Sequence, residues 1–206
     1  MDDLADEPAL QWRPDLPAGP QTVWERRNAT SHGRRWTAVL AVAVASGPFA
    51  IAAAMVENSF SGAALVLLLV AVGPLIEEMV KGAGALFLAE QRPWLVPAAW
   101  TLPVLTCLSG LVFASIENWW YLAVLIDDPS RQIIQWRWIF GPLVHGVGSL
   151  IVGFGAARLW RQAMTTGRRA AFDVAQPYIV TAAVFHGLYN GLALLLTLAG
   201  VFPDAP

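Results

Sequence analysis

Four short stretches of this 206-residue sequence put ionisable side chains inside apolar runs. Gly73-Pro-Leu-Ile-Glu77-Glu78-Met-Val-Lys81 holds two adjacent carboxylates and an ammonium within about one helical turn. Phe113-Ala-Ser-Ile-Glu117-Asn118 adds a third carboxylate. Gly141-Pro-Leu-Val-His145-Gly146-Val-Gly148-Ser149 adds an imidazole, and Phe185-His186-Gly187-Leu-Tyr-Asn190 adds a second with an amide. Carboxylates, imidazoles and a lysine are the groups of general acid–base catalysis. Residues four apart share a helix face, which pairs Glu77 with Lys81, His145 with Ser149 and His186 with Asn190. Glu78 points about 100° round the axis from Glu77, so Lys81 can neutralise one carboxylate while the other needs a further partner.

Each signal also has a plainer reading. Glu77 and Lys81 can be only a buried pair, and His145 a structural histidine. The Gly-rich face around His145 suits close helix packing, and Ser149 suits packing and hydrogen bonding better than nucleophilic attack. Trp119, Trp120 and Tyr121 read as core and interface aromatics. The joint occurrence is harder to explain away, because each ionisable group near a bilayer centre costs at least ~2.5–3.5 kcal/mol on insertion scales. Groups that costly face a bundle interior and mark function.

The elements that must carry these residues are membrane spans. The chain is 56% hydrophobic and 14% charged, with mean hydropathy +0.53, too apolar for an ordinary soluble domain. A net charge of −2 gives no footprint for nucleic acid, and the single Cys107 makes no intrachain disulfide. Five apolar stretches reach the roughly 20 residues that cross a ~30 Å hydrocarbon layer. They are Trp36–Val56, Phe60–Leu88, Ala98–Ile126, Trp138–Trp160 and Pro177–Ala199. The second is too long for one straight span and contains Gly73-Pro74, which predicts a kink or break beside a cavity. Spans two to five each contribute a polar group and the first contributes none, so the first is expected to be peripheral.

Basic residues set the orientation. Arg13, Arg26, Arg27, Arg34 and Arg35 precede the first span, Arg92 follows the second, and Arg158, Arg161, Arg168 and Arg169 follow the fourth. Arg131 and Arg137 fall on the other side, in a loop with Asp127 and Asp128. The positive-inside rule then predicts a cytoplasmic N-terminus and an external C-terminus. Residues 1–35, acidic and proline-bearing, lack the basic-then-apolar pattern of a cleavable signal and read as a polar, disordered cytoplasmic tail. The expected fold is all-α, a polytopic transmembrane bundle of about five spans over residues 36–200.

The four stretches taken together resemble the PrsW family of intramembrane proteases. Glu77-Glu78-Met-Val-Lys81 is similar to that family's EExxK element, Phe113 to Glu117 to its FxxxE element, and His186 to Asn190 to its HxxxN element. His145 stands where the family has a further helix-borne histidine. The resemblance covers about residues 60–195, the expected catalytic core, and extends to a wider superfamily with type II CAAX prenyl endopeptidases. It implies a glutamic endopeptidase, multi-pass in a bacterial inner or plasma membrane. Its substrates would be membrane proteins such as anti-sigma factors, cut by a glutamate-activated water without a cofactor.

Roles follow from that chemistry. Glu77 or Glu78 is the base, with Glu77 preferred; Glu117 shares the water or holds a proton; His186 and Asn190 donate to the oxyanion. His145 positions the water or protonates the leaving group, and Lys81 sets the charge of the neighbouring carboxylate. A metal-dependent variant stays open, since two His and one or two Glu from separate helices can hold zinc with an open position, although HExxH is absent. Counted at about 1.5 Å per residue, Glu117 and His145 lie in the outer half of their spans, so the cavity should open externally or laterally. Two other functions compete. A non-catalytic scaffold would keep the fold, but intramembrane hydrogen bonds average only ~0.6 kcal/mol, a small return for so many buried ionisable groups. A transporter or proton relay would also use Glu and His, but no internal repeat supports paired halves.

Overall fold

A computed structural model of the chain describes residues 20–45, 49, 52, 55, 56 and 59–201. All regular elements among the described residues are helical: α1 (Pro20–Ala29), α2 (His32–Ala45), α3 (Gly62–Gln91), α4 (Thr101–Leu125), α5 (Arg131–Thr166) and α6 (Gln176–Leu198). Helices α3 to α6 are long and apolar enough to cross a membrane, and they coincide with the second to fifth predicted spans. The first predicted span begins in α2, and part of its C-terminal half lies outside the described residues. Residues 1–19 of the predicted tail also lie outside them. From Pro20 the tail departs from the expectation of disorder, because α1 docks Val23 against Trp94 and Met164. A single buried valine and its flanking arginines give α1 a tertiary anchor that composition does not reveal.

The apolar exterior is that of a protein solvated by lipid. Leu75, Ile76, Phe87, Leu143, Phe154, Leu188 and Leu195 face outward, while Glu77, Glu78, Lys81, His145 and His186 are buried. The interior is built around α5, which packs against α3, α4 and α6, with α2 against α3 and α4. Its largest apolar cluster joins Ala85 and Ala89 of α3, Leu102 and Leu105 of α4, Val152, Ala156 and Leu159 of α5, and Ile179 and Ala182 of α6. Small residues allow the close approach that replaces hydrophobic drive inside a membrane. A Cβ at Gly110 of α4 would run into the His145 carbonyl and the Ser149 hydroxyl of α5.

Helix α5 begins where Ser130 caps it, its Oγ accepting from the Ile133 N–H at 3.4 Å, and ends at Gly167 in the left-handed region at φ +66°. Its 36 residues extend about 54 Å, well beyond the predicted Trp138–Trp160. Arg137, expected in the external loop, is therefore inside this helix. The cap at Ser130 and the burial of Ile133 start the helix two turns early and carry Arg137 onto the face that meets α4.

The predicted disturbance at Gly73-Pro74 takes the form of a π-helical stretch, Leu68–Val72, within α3. Pro74 has no N–H, so the carbonyls of Leu69 and Val70, five and four residues earlier, receive nothing from it. Leu69 O is instead satisfied by α6, accepting from Asn190 Nδ2 at 2.9 Å. Val70 O lies so close to Gly187 of α6 that a Cβ there would collide with it. At Gly191, one turn on, an added Cβ would meet the Val70 side chain at an ordinary 3.9 Å. Gly187→Ala is therefore expected to destabilise the bundle by about 1–3 kcal/mol, the usual cost of overpacking, while Gly191→Ala is tolerated. Unfolding of both variants in detergent checks this; equal stabilities would mean that the α3–α6 approach is not tight.

Candidate functional site

Six of the seven side chains singled out by sequence form one connected cluster at the level where α3, α4, α5 and α6 meet. Lys81 is its hub. Its Nζ donates to Glu78 Oε1 at 2.5 Å, sits 2.7 Å from His145 Nδ1, and lies 3.7 Å from Glu77 Oε2. The Phe113 ring covers the ammonium with its centroid 4.6 Å away, a contact of the cation–π type. The helical turn carrying Lys81 is itself tied to α4, since Ser109 Oγ donates to the Lys81 carbonyl at 3.1 Å.

Glu78 is enclosed. Its Oε1 takes Lys81 on one side and His186 Nδ1 at 3.0 Å on the other, and its carboxyl presses on Gly148 of α5, where a Cβ would come within 3.0 Å. Glu77 lies 3.9 Å from both His145 Nδ1 and His186 Nδ1. The two imidazoles meet edge to face, with centroids 4.7 Å apart at 81°.

The hydrogen bonds assign one tautomer. A lysine ammonium has only donors, so His145 Nδ1 must accept from it. The imidazole proton is then on Nε2, which donates to Glu117 Oε2 at 3.1 Å. Glu117 is also paired with Arg137 Nη2 at 3.4 Å, and that guanidinium lies on the Tyr121 ring, 3.7 Å from its centroid. Asn118 reinforces the junction by donating from Nδ2 to the Arg137 carbonyl at 2.9 Å. When the imidazoles are neutral, three carboxylates (Glu77, Glu78, Glu117) face two cations (Lys81, Arg137), leaving one negative charge.

A cavity of about 200 Å³ adjoins the cluster. Glu77, Glu117, His145, His186 and Asn190 are on its wall, together with Arg137, Tyr189 and the apolar Leu65, Leu69, Ile133 and Trp136. Among the described residues, Glu78 and Lys81 are not on that wall. The adjacent carboxylates thus have different surroundings, one facing open space and the other facing the helix contacts.

Asn190, the seventh residue, shares the cavity but spends one amide hydrogen on Leu69 O, so part of its work is to fasten α6 to the π stretch. Arg137 and Asn118 were missed as site residues. Arg137 stands eight residues before His145, two turns along the same face, and Asn118 directly follows Glu117. Those spacings were the available signal, obscured because a basic residue near a span end also fits a topology pattern. The ligand atoms of Glu77, His145 and His186 all lie within 4.8 Å of one another, close enough to hold one metal ion after a small contraction.

A family model described as PrsW family intramembrane metalloprotease matches residues 34–203. Neither a curated protein nor a solved structure matches the chain.

Removing one member of a buried ion pair strands its partner, at a cost of about 3–5 kcal/mol. Lys81→Met should destabilise the bundle on that scale. The double variant Lys81→Met/Glu78→Gln should recover part of the loss, because the stranded charge is removed with its partner. A double-mutant cycle on detergent unfolding measures this, and strictly additive losses would show that the two side chains do not interact.

Proposed function

The chain belongs to the PrsW family of intramembrane proteases, and on that premise we propose that it hydrolyses peptide bonds of membrane-associated proteins with a water activated by Glu77. The observation that carries this reading is the division of labour between the adjacent glutamates. Glu77 faces the cavity, whereas Glu78 is held by Lys81 and His186 against Gly148. Glu77 accepts a proton from a cavity water as the oxygen attacks the substrate carbonyl carbon, and the cluster's single excess negative charge is thereby neutralised. The electron pair of the carbonyl moves to its oxygen. The second amide hydrogen of Asn190 donates to that oxyanion, joined by His186 Nε2 when that ring carries a proton there as well as on the Nδ1 that donates to Glu78, in a cavity where fixed donors act more strongly than in water. Collapse of the intermediate breaks the C–N bond, and the leaving amine takes the proton that Glu77 removed. His145, its two ring nitrogens engaged by Lys81 and Glu117, forms a fixed part of the wall beside the water, and Glu117 with Arg137 holds that imidazole in place.

A second reading has a specific observation in its favour. Glu77, His145 and His186 have the donor types of a catalytic zinc site and spacing close to one, and the family description names a metalloprotease. These three residues would hold the ion, which would supply a polarised water. The Lys81 ammonium on His145 Nδ1 already brings positive charge to the same spot, which favours the metal-free reading.

The orientation expected from the arginines would put the cavity end of the bundle, around Ile126 and Ile133, at the outer face, where anti-sigma factors and similar single-span proteins are accessible. The test is cleavage of such substrates in liposomes by wild type and Glu77→Gln, each with and without chelator, alongside metal content. Loss of the base should slow cleavage by about 10²–10⁴-fold with no effect of chelator. Chelator-sensitive cleavage restored by zinc would transfer the reading to the metal. A folded wild type that binds its partner stoichiometrically and cuts nothing would make the chain a scaffold.

A further inference from the structure

At the opposite end of the bundle from the cavity, Arg26, Arg27, Arg35 and Arg92 collect, and of the acids nearest them in sequence, Glu25 and Glu90, the second is paired with Arg169. Arg27 of α1 donates to the carbonyls of Val96 and Pro97 in the α3–α4 connection, and its guanidinium lies over the rings of Trp24 and Trp160 at 5.5 and 5.8 Å. Arg26 and Arg92 lie over one ring, Trp94, at 5.0 and 5.5 Å. Arg35, at the start of α2, adds its charge to that of Arg27; burial first, and Arg35 second, lower the Arg27 pKa from its ordinary value. Among the described residues, no ion pair joins Arg26, Arg27 or Arg35 to an acid, and the buried Nε of Arg35 has no hydrogen-bond partner. The Arg27 guanidinium stacked among tryptophans and the buried, unused Nε of Arg35 are the features an anion could engage here.

The surroundings identify the anion's source. Trp24 and Trp100 are 45% and 61% exposed, as expected of rings at a membrane–water boundary. An anion reaching arginines at that level comes most directly from the membrane itself. Guanidinium groups bind phosphate oxygens in a fixed fork, and basic pockets beside transmembrane helices suit anionic headgroups. We propose that this face is a binding site for an anionic phospholipid, its phosphate held between Arg27 and Arg35 and its upper chain along the flanking tryptophans. Such a lipid would pin α1 and α2 to the α3–α4 connection.

Native mass spectrometry of the full chain in neutral detergent tests the site, with phosphatidylglycerol, phosphatidylcholine and inorganic phosphate as separate probes. The wild type should retain phosphatidylglycerol in preference to phosphatidylcholine. Arg27→Gln and Arg35→Gln should each weaken phosphatidylglycerol by about fivefold and leave phosphatidylcholine unchanged. Arg35→Lys, which keeps the charge but loses the fork, should fold normally and fall between. Arg131→Gln, at the other end of the bundle, should have no effect. Equal retention of both lipids by the wild type would overturn the proposal, as would happen if the chain's own acidic N-terminal residues neutralise the cluster. Phosphate bound as tightly as the lipid would overturn it too, by making this a free-anion site.

Discussion

Everything in the centre of this bundle depends on keeping carboxylates charged where lipid cannot solvate them. The Lys81 ammonium does most of that work: it holds Glu78 at hydrogen-bond distance, lies beside Glu77, and determines which nitrogen of His145 carries the proton. Through that tautomer its influence reaches Glu117 on another helix. A charge in a low-dielectric interior is costly when alone and strongly attractive when paired, so such a cluster has little tolerance for partial loss. Four helices contribute to it, and each is located by the polar contacts as well as by apolar packing.

The backbone obeys the same constraint. Irregular main chain at membrane depth survives only where protein or a water-filled cavity covers it. Pro74 frees two carbonyls; Asn190 satisfies one and Gly187 lets α6 close over the other. The HxxxN spacing therefore serves two ends on one face, an imidazole for the charge cluster and, one turn on, an amide for the orphaned carbonyl.

Much of this was legible in the residues themselves. Insertion cost singles out Glu77, Glu78, Lys81, Glu117, His145 and His186, and the 3.6-residue period indicates which of them share a face. Four of the five predicted spans recur as helices among the described residues. The difference between Glu77 and Glu78 was not legible. It depends on where Gly148 of a different helix comes to rest, and no local pattern encodes that. Arg137 was hidden because a basic residue near a span end satisfies topology and chemistry alike. The docking of α1 was hidden because it rests on one valine and on carbonyls of a turn some seventy residues away.

The π stretch divides α3 into two mechanically different bodies. Beyond Pro74 the helix is anchored to its neighbours by the Lys81 contact with His145 of α5 and the Glu78 contact with His186 of α6. Before it, Gly62–Leu67 and Leu68–Val72 contain no fully buried residue, and the side-chain hydrogen bond tying this half to the bundle among the described residues is the one from Asn190. A bond of that kind contributes about 0.6 kcal/mol in a membrane, close to the thermal energy RT. Leu65 and Leu69 of this half also form part of the cavity wall. That part of the wall is thus held by packing against α6 and one amide hydrogen bond, whereas the part behind it is held by charge.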